Sequence, residues 1–462
     1  ATKRETTIDM IKNMWKPVVM TSITTSVGFI SLLTSEVYPI KYFGLFTAFG
    51  VMSAMVLSLV FIPAGLMTFG KPKFPEKEKK FGAGRDYKSA MHWTLRILNN
   101  KRSVFVITIL ILGLSIYGLQ NVWINSSFLD KFEDDSDIVQ TDAFINKKFG
   151  GTTKLNVILS AERQNAFKEP RVLELMDEMQ TSVDSSLKVV GSSFSLSDYI
   201  RRMNKVMHAD KEKYNRIPSS QNLIAQYLLL YEMSGDPDNL WKEVNYDYNQ
   251  ANLKYQLKKD DSKSLNAAID QIEQYKDEFQ KLGIEINYAG SGYKSLVFTD
   301  LILEGQIKSL LMSLVLVVIL LTLMFRQLSI GLIGAVPITI TALLSFGVMG
   351  VLNIPLSTTT ALLASIAVGI GIDYAVHFIE RYKINLKKYS DKFEVAYRTI
   401  NHSGRAIFFN AIVVIAGFLV LLFSVFPPNR ALGALVSFNM FTSFLGTMTV
   451  MLILLYWKKR FK

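Results

Sequence analysis

Eight stretches of this chain are long and apolar enough to cross a lipid bilayer, and they limit its possible folds more than any other feature. A span needs about 20 mostly apolar residues, since a helix rises about 1.5 Å per residue through a hydrocarbon core about 30 Å thick. The stretches are 17–35, 42–69, 103–120, 305–325, 328–351, 355–379, 406–426 and 431–457. With no water in the hydrocarbon to satisfy backbone N–H and C=O groups, each is expected to be helical. The first is the least apolar, because TSITTSVGFISLLTS (21–35) carries many hydroxyls. Serine and threonine satisfy themselves on their own helix backbone and pack closely against neighbours, so they are compatible with a span.

Lysine and arginine placement orients the helices. The 183 residues 121–303 hold 22 basic and 28 acidic side chains, while the rest of the chain carries 29 basic and only 11 acidic. Of those 29, 26 lie in 1–16, 70–102, 380–405, 458–462 and at Arg326, leaving Lys41, Lys308 and Arg430. Eight crossings put all five basic segments on one side, which the positive-inside rule assigns to the cytoplasm. Both ends are then cytoplasmic and 121–303 faces outward. Although the net charge is +12, a basic excess confined to the flanks of apolar runs orients a membrane protein; a nucleic-acid footprint covers a folded soluble face. No nucleic-acid partner is expected. The absence of cysteine excludes disulfides and thiolate metal sites, and His92, His208, His377 and His402 have no metal-ligand spacing. No cofactor or metal is expected.

The outward segment reads as an α/β domain. Residues 153–160 alternate Leu155, Val157 and Leu159 on one face, as a half-buried strand does. Further strands are expected at 187–193, 251–259 and 284–290, helices at 170–184 and 262–281, and a polar helical insertion at about 195–235. The order βαβ, insertion, βαβ predicts a ferredoxin-type split sandwich. The expected organisation is two helices (1–69), a basic cytoplasmic linker (70–102), a helix (103–120), the extracytoplasmic domain (121–303) and a five-helix bundle (304–462). GSGYKS (290–295) lacks the Gly-Lys-Ser/Thr order of a phosphate loop and reads as a turn. The acids at 130–137 read as a solvated linker.

The chain also repeats itself. A shift of 389 positions, without a gap, places Glu5 on Glu394, Gly28 on Gly417, Phe29 on Phe418, Leu32 on Leu421, Ser35 on Ser424, Pro39 on Pro428 and Gly44 on Gly433. A register that holds through the prolines at the outer turn points to duplication. The first copy begins abruptly, so the chain is expected to be the C-terminal part of a longer duplicated protein, whose missing N-terminal half is a partner.

The segment VGIGIDYAVHFIERYK (368–383) carries the chemistry. Asp373 sits inside an apolar helix, where an ionised carboxylate costs several kcal/mol unless paired or hydrated. An acid kept there is a functional candidate, suited to taking up and releasing a proton. Gly369 and Gly371 allow a neighbouring helix or water to come close. Tyr374 adds a hydroxyl about 100° round the helix, and His377 shares a face with Asp373 four residues on. For His377 a solvated or structural role is favoured. Asn410, in the next helix, is a candidate partner, and Thr21 is its equivalent in the first repeat. No nucleophile–base or metal constellation is apparent, so no enzymatic activity is expected.

Gly369-x-x-x-Asp373-Tyr374 in a membrane helix, followed by a basic loop and a glycine-bearing helix, resembles the resistance–nodulation–division (RND) superfamily. It looks closest to the branch of mycobacterial membrane-protein-large (MMPL) and Patched-like exporters. The resemblance implies twelve helices, with Asp-Tyr pairs in the fourth and tenth that couple proton flow to transport. The eight helices here would be the fifth to twelfth, and 121–303 the second porter domain. The first pair would fall upstream of Ala1. The expectation is a multi-pass cell-membrane protein exporting a lipid or other hydrophobic substrate, with protons and membrane lipids as partners. The alternative is a proton-driven protein-translocation motor or a lipid-sensing subunit of the same fold.

Overall fold

The structure, a computed structural model, describes residues 3–69, 90–125, 127–233 and 237–458. It divides into two compact units, 1–124 with 301–462 and the intervening 125–300. Both ends of the chain contribute to the first unit. Along the chain it opens with α1 (Lys3–Ile30), a 3₁₀ turn (Ser31–Thr34) and α2 (Tyr38–Phe69). The expected linker 70–102 lies outside the described residues up to 89; its remainder is α3, described over 90–99, which buries Thr94, Ile97 and Leu98. That spacing of three and four residues is one helix face. α4 (Lys101–Leu119) follows. Large apolar side chains such as Phe46, Phe61, Leu110 and Leu114 stand exposed on α2 and α4. Apolar area on this scale marks an interaction surface on a soluble protein; on helices of this length it is the surface that lipid covers.

The second unit contains α5 (Asp137–Phe149), β1 (Thr153–Ala161), α6 (Pro170–Ser186), β2 (Val190–Phe194), α7 (Leu196–Met207), α8 (Gln221–Met233), β3 (Gln250–Leu257), α9 (Ser262–Glu273), α10 (Lys276–Lys281) and β4 (Ile284–Ala289). The sheet order is β2-β3-β1-β4, with every neighbouring pair antiparallel. This is the split βαβ arrangement expected from the sequence. Leu155, Val157 and Leu159 of β1 face inward together with Leu253, Tyr255 and Leu257 of β3. α6 covers them with Val172, Leu173, Met176, Met179 and Val183, and α9 with Leu265, Ala268 and Ile272. Pro170 opens α6 at a position where its missing N–H costs nothing. The helix expected over 262–281 is two pieces, divided at Gln274–Tyr275. The 290–295 segment is helical, not a turn: α11 (Gly290–Phe325) starts at Gly290, whose φ is +97°. A side chain on Gly292 would strike Leu265 and Thr153, so this glycine serves close packing.

The first unit resumes within α11 and continues with α12 (Leu328–Val351), α13 (Thr358–Lys388), α14 (Lys392–Thr399), a π-turn (Ile400–Gly404), α15 (Arg405–Leu419), a 3₁₀ turn (Val420–Phe423), α16 (Pro427–Gly446), a second π-turn (Thr447–Met451) and α17 (Leu452–Trp457). Seven helical segments among the described residues are long and apolar enough to cross a membrane. The eighth expected span, 355–379, lies in α13, where most side chains from 358 to 370 are outside the described set.

The repeat is visible in three dimensions. The 3₁₀ turns at 31–34 and 420–423 are 389 positions apart, and the residues after them adopt φ,ψ of −65°, 144° (Ser35) and −66°, 140° (Ser424). A Cβ on Gly44 would lie 2.5 Å from the Phe29 carbonyl oxygen and 2.7 Å from Leu32 Cβ. On Gly433 it would meet Phe418 and Leu421 at 2.6 and 2.8 Å. The same hairpin is built twice, each closed by the same glycine.

Candidate functional site

α13 is built to be surrounded. Its N-terminus is closed by a reciprocal pair, Thr360 N–H to Ser357 Oγ and Ser357 N–H to Thr360 Oγ1, which satisfies free backbone donors at the helix start. Beyond the glycines it buries Ile372, Tyr374, Ala375, Val376, Phe378, Ile379 and Tyr382. α1, α12 and α16 pack against it.

The two glycines of the motif serve different neighbours. Gly369 faces α1: a Cβ on Gly28 would lie 2.8 Å from Gly369 Cα, so the two backbones touch at this crossing. Gly371 faces α16, where a Cβ would lie 2.9 Å from Ser443 Oγ, and Ser443 donates to the Gly371 carbonyl at 3.2 Å.

Asp373 lies one turn beyond Gly369 on the α1 side and is half-buried. Thr25 of α1 donates its hydroxyl to Asp373 Oδ1 at 3.1 Å, and the same hydroxyl lies 2.9 Å from the Gly369 carbonyl. No Lys, Arg or His forms an ion pair with Asp373 among the described residues. Tyr374 points elsewhere: fully buried, it directs its hydroxyl to Met440 Sδ on α16 at 3.9 Å. The adjacent acid and phenol therefore report to different helices, as a 100° step requires. His377 is half-buried a turn further on, with no hydrogen bond to Asp373 among the described residues.

The two expected partners are placed away from the acid. Thr21 is buried, but its hydroxyl returns to its own helix at Pro17 O (3.0 Å) and Val18 O (3.1 Å). Asn410 stands on the exposed face of α15, a helix packed principally on α16. The position facing Asp373 is Thr25, one turn beyond Thr21, and the run of hydroxyls at 21–26 was the available signal. Sequence reasoning also missed Asn439 of α16, which is fully buried with neither amide atom hydrogen-bonded among the described residues. A buried amide without partners is costly, which marks Asn439 as a further polar position inside the bundle. An asparagine inside an apolar run signalled it as plainly as Asn410.

This arrangement can hold or release one proton at a carboxyl placed on a helix crossing and linked to the facing helix by one hydroxyl. No group of three or more His, Asp or Glu able to hold a metal occurs among the described residues.

The model of the MMPL family matches residues 132–460. The chain is 22% identical to a membrane protein of Methanocaldococcus jannaschii over 349 residues, 72% of this chain and 85% of that protein. It is 30% identical to the membrane protein YdgH of Bacillus subtilis over 128 residues, 27% of this chain and 14% of that one. Its fold is similar to that of the hedgehog release protein Disp from the water bear Hypsibius dujardini (TM-score 0.68, 13% identity, 96% of this chain and 58% of that chain). It is similar also to SecDF, a translocon-associated membrane protein from Thermus thermophilus (TM-score 0.52, 13% identity, 100% of this chain and 51% of that chain). The chain thus spans little more than half the length of either solved relative.

Proposed function

This chain belongs to the MMPL family, and from that premise we propose that it works in proton-coupled export of a lipid or other hydrophobic molecule. It is a multi-pass membrane protein with an RND-type fold. In this reading 121–303 is the outward porter domain and Asp373 is the proton-coupling group. The observation that carries it is the acid on an apolar helix with a hydroxyl, not a cation, as its partner. A lone acid among membrane helices is retained for function far more readily than for packing.

The geometry supports a specific coupling step. Thr25 has one hydroxyl hydrogen and two acceptors, Asp373 Oδ1 and the Gly369 carbonyl oxygen. An ionised Asp373 can only accept, so it takes that hydrogen. A protonated Asp373 becomes a donor to Thr25 Oγ1, and Thr25 then turns its hydrogen to Gly369. Loading one proton thereby rewires the hydroxyl–carboxyl bond between α1 and α13. Tyr374, held on α16, places that helix next to the same event.

The test is proton-driven efflux in vesicles with Asp373→Asn in the intact protein, with expression and melting temperature as controls. Asparagine keeps the size and hydrogen-bonding capacity of the acid but carries no titratable proton. Export should fall to background while the protein stays folded; wild-type flux from a folded variant would remove Asp373 from the mechanism. The likeness in fold to SecDF favours a second reading, a proton-driven motor for protein translocation. Proton flux through Asp373 without efflux of any small molecule would select it.

A further inference from the structure

We propose that the cavity between α3, the first π-turn and α16 holds the headgroup of an anionic phospholipid. It encloses about 390 Å³, within the roughly 300–1,000 Å³ of small-molecule sites. The proposal rests on the membrane setting alone and is independent of the role given to Asp373.

The walls come from two rare elements that meet. Both π-turns, Ile400–Gly404 and Thr447–Met451, line the cavity. Such turns are mostly single-turn insertions in α-helices and recur at functional sites. They touch at Gly404, where a Cβ would lie 2.5 Å from Met448 Cε. The absence of a side chain at Gly404 lets the two turns close against each other and leaves the space beside them open.

The lining is graded in polarity along one helix face. Asn401 and Arg405 are four residues apart and lie at the boundary where the basic segment 380–405 ends. Phe408 and Phe409 follow three and four residues on, inside the apolar run, with Phe444 and Met448 opposite. Arg405 lies over the Phe409 ring, 5.7 Å from its centroid. Trp93 of α3 lines the same cavity and is exposed, as tryptophan at the membrane–water interface is. A cation and an amide at the interface, with aromatics and a thioether just inside, match a phosphate headgroup joined to an acyl chain. Basic pockets between helices on this side of a membrane recognise such headgroups.

The experiment reconstitutes the intact protein into nanodiscs of phosphatidylcholine doped with phosphatidylglycerol, then counts retained lipids by native mass spectrometry. Wild type should keep one phosphatidylglycerol selectively. Arg405→Gln should weaken that retention roughly tenfold or more, as expected for losing a hydrogen bond to a charged group. Arg398→Gln, which removes the same charge outside the cavity, should not. Phe444→Trp, which narrows the cavity and leaves Arg405 in place, should also reduce retention, so the question stays answerable if Arg405→Gln misfolds. Equal retention of the two lipids, equal loss in Arg398→Gln and Arg405→Gln, or displacement of phosphatidylglycerol by inorganic phosphate would each overturn the proposal.

Discussion

Thr25 and Asp373, separated by 348 positions in sequence, are joined by a 3.1 Å hydrogen bond across the crossing of α1 and α13. The bond exists because Gly28 and Gly369 let the two backbones touch one turn away. Close approach brings a short hydroxyl side chain within reach of a short carboxyl side chain. Longer residues at the crossing would hold them apart. The proton-coupling proposal thus has a local structural cause that mutation can probe at each of its parts.

Thr25→Val should lower proton-driven export about tenfold while leaving Asp373 in place, since a hydrogen bond to a charged group is worth about 1.5–3 kcal/mol. Thr25→Ser, which restores the hydroxyl, should recover most of the activity. The measurement is initial efflux rate in vesicles at fixed protein content. Equal rates for the valine and serine variants would show that the hydroxyl is not part of the coupling.

Tyr374→Phe should be milder than Asp373→Asn. It removes one hydroxyl directed at a methionine sulfur and leaves the carboxyl untouched. Efflux by the phenylalanine variant should remain well above background. A tyrosine variant as inactive as Asp373→Asn would require the phenol to carry a proton itself.

The repeat supplies an internal control for packing. Gly28→Ala should destabilise the protein by about 1–3 kcal/mol, because its Cβ would lie 2.8 Å from backbone at Gly369. Gly417→Ala, at the equivalent position of the second copy, meets nothing within 4 Å among the described residues and should be near neutral in this 462-residue chain. Melting temperatures of the two variants in the same detergent decide it. Equal shifts would mean that the crossing at Gly28 is not closely packed.

Orientation can be read with single cysteines in a chain that has none of its own. Ser390→Cys should label with an impermeant thiol reagent only after permeabilisation, and a cysteine in 125–300 should label on intact cells. Ser262 is buried, so the exposed Ser185 is the better outer probe. The opposite pattern would invert the topology.

Glu243 gives the second unit a pH dependence. Burial pushes its carboxyl above the ordinary range, against the opposing pull of Lys254, which donates to it at 2.5 Å. With the folded value raised, the folded state holds more protons than the unfolded state between the ordinary carboxylate range and the raised value. Stability therefore falls as pH rises through that window and levels off above it. Hydrogen exchange of Gln250–Leu257, corrected for intrinsic rate, should show more protection at the acidic end. Glu243→Gln should flatten that slope; an unchanged slope would assign it to other groups.

Much of this protein was determined by local pattern. Apolar runs become helices in a bilayer because the backbone has no other way to satisfy its hydrogen bonds. The alternation at Leu155, Val157 and Leu159 set the inward face of β1 for the same elementary reason that strands have period two. The 389-position shift pointed to duplication, and the structure adds matching 3₁₀ turns in the two copies, because like sequences meet like local constraints. Asp373 stood out by cost alone. Partners were another matter. Asn410 was the candidate of the helix that follows Asp373 and Thr21 its repeat equivalent, yet the hydroxyl that meets the acid is Thr25, one turn beyond Thr21. Which hydroxyl reaches Asp373, which side of α13 Tyr374 takes, and that Asn439 is sealed inside are set by how helices distant in sequence cross. Crossing positions depend on the summed fit of many side chains, and no short stretch of sequence contains that sum.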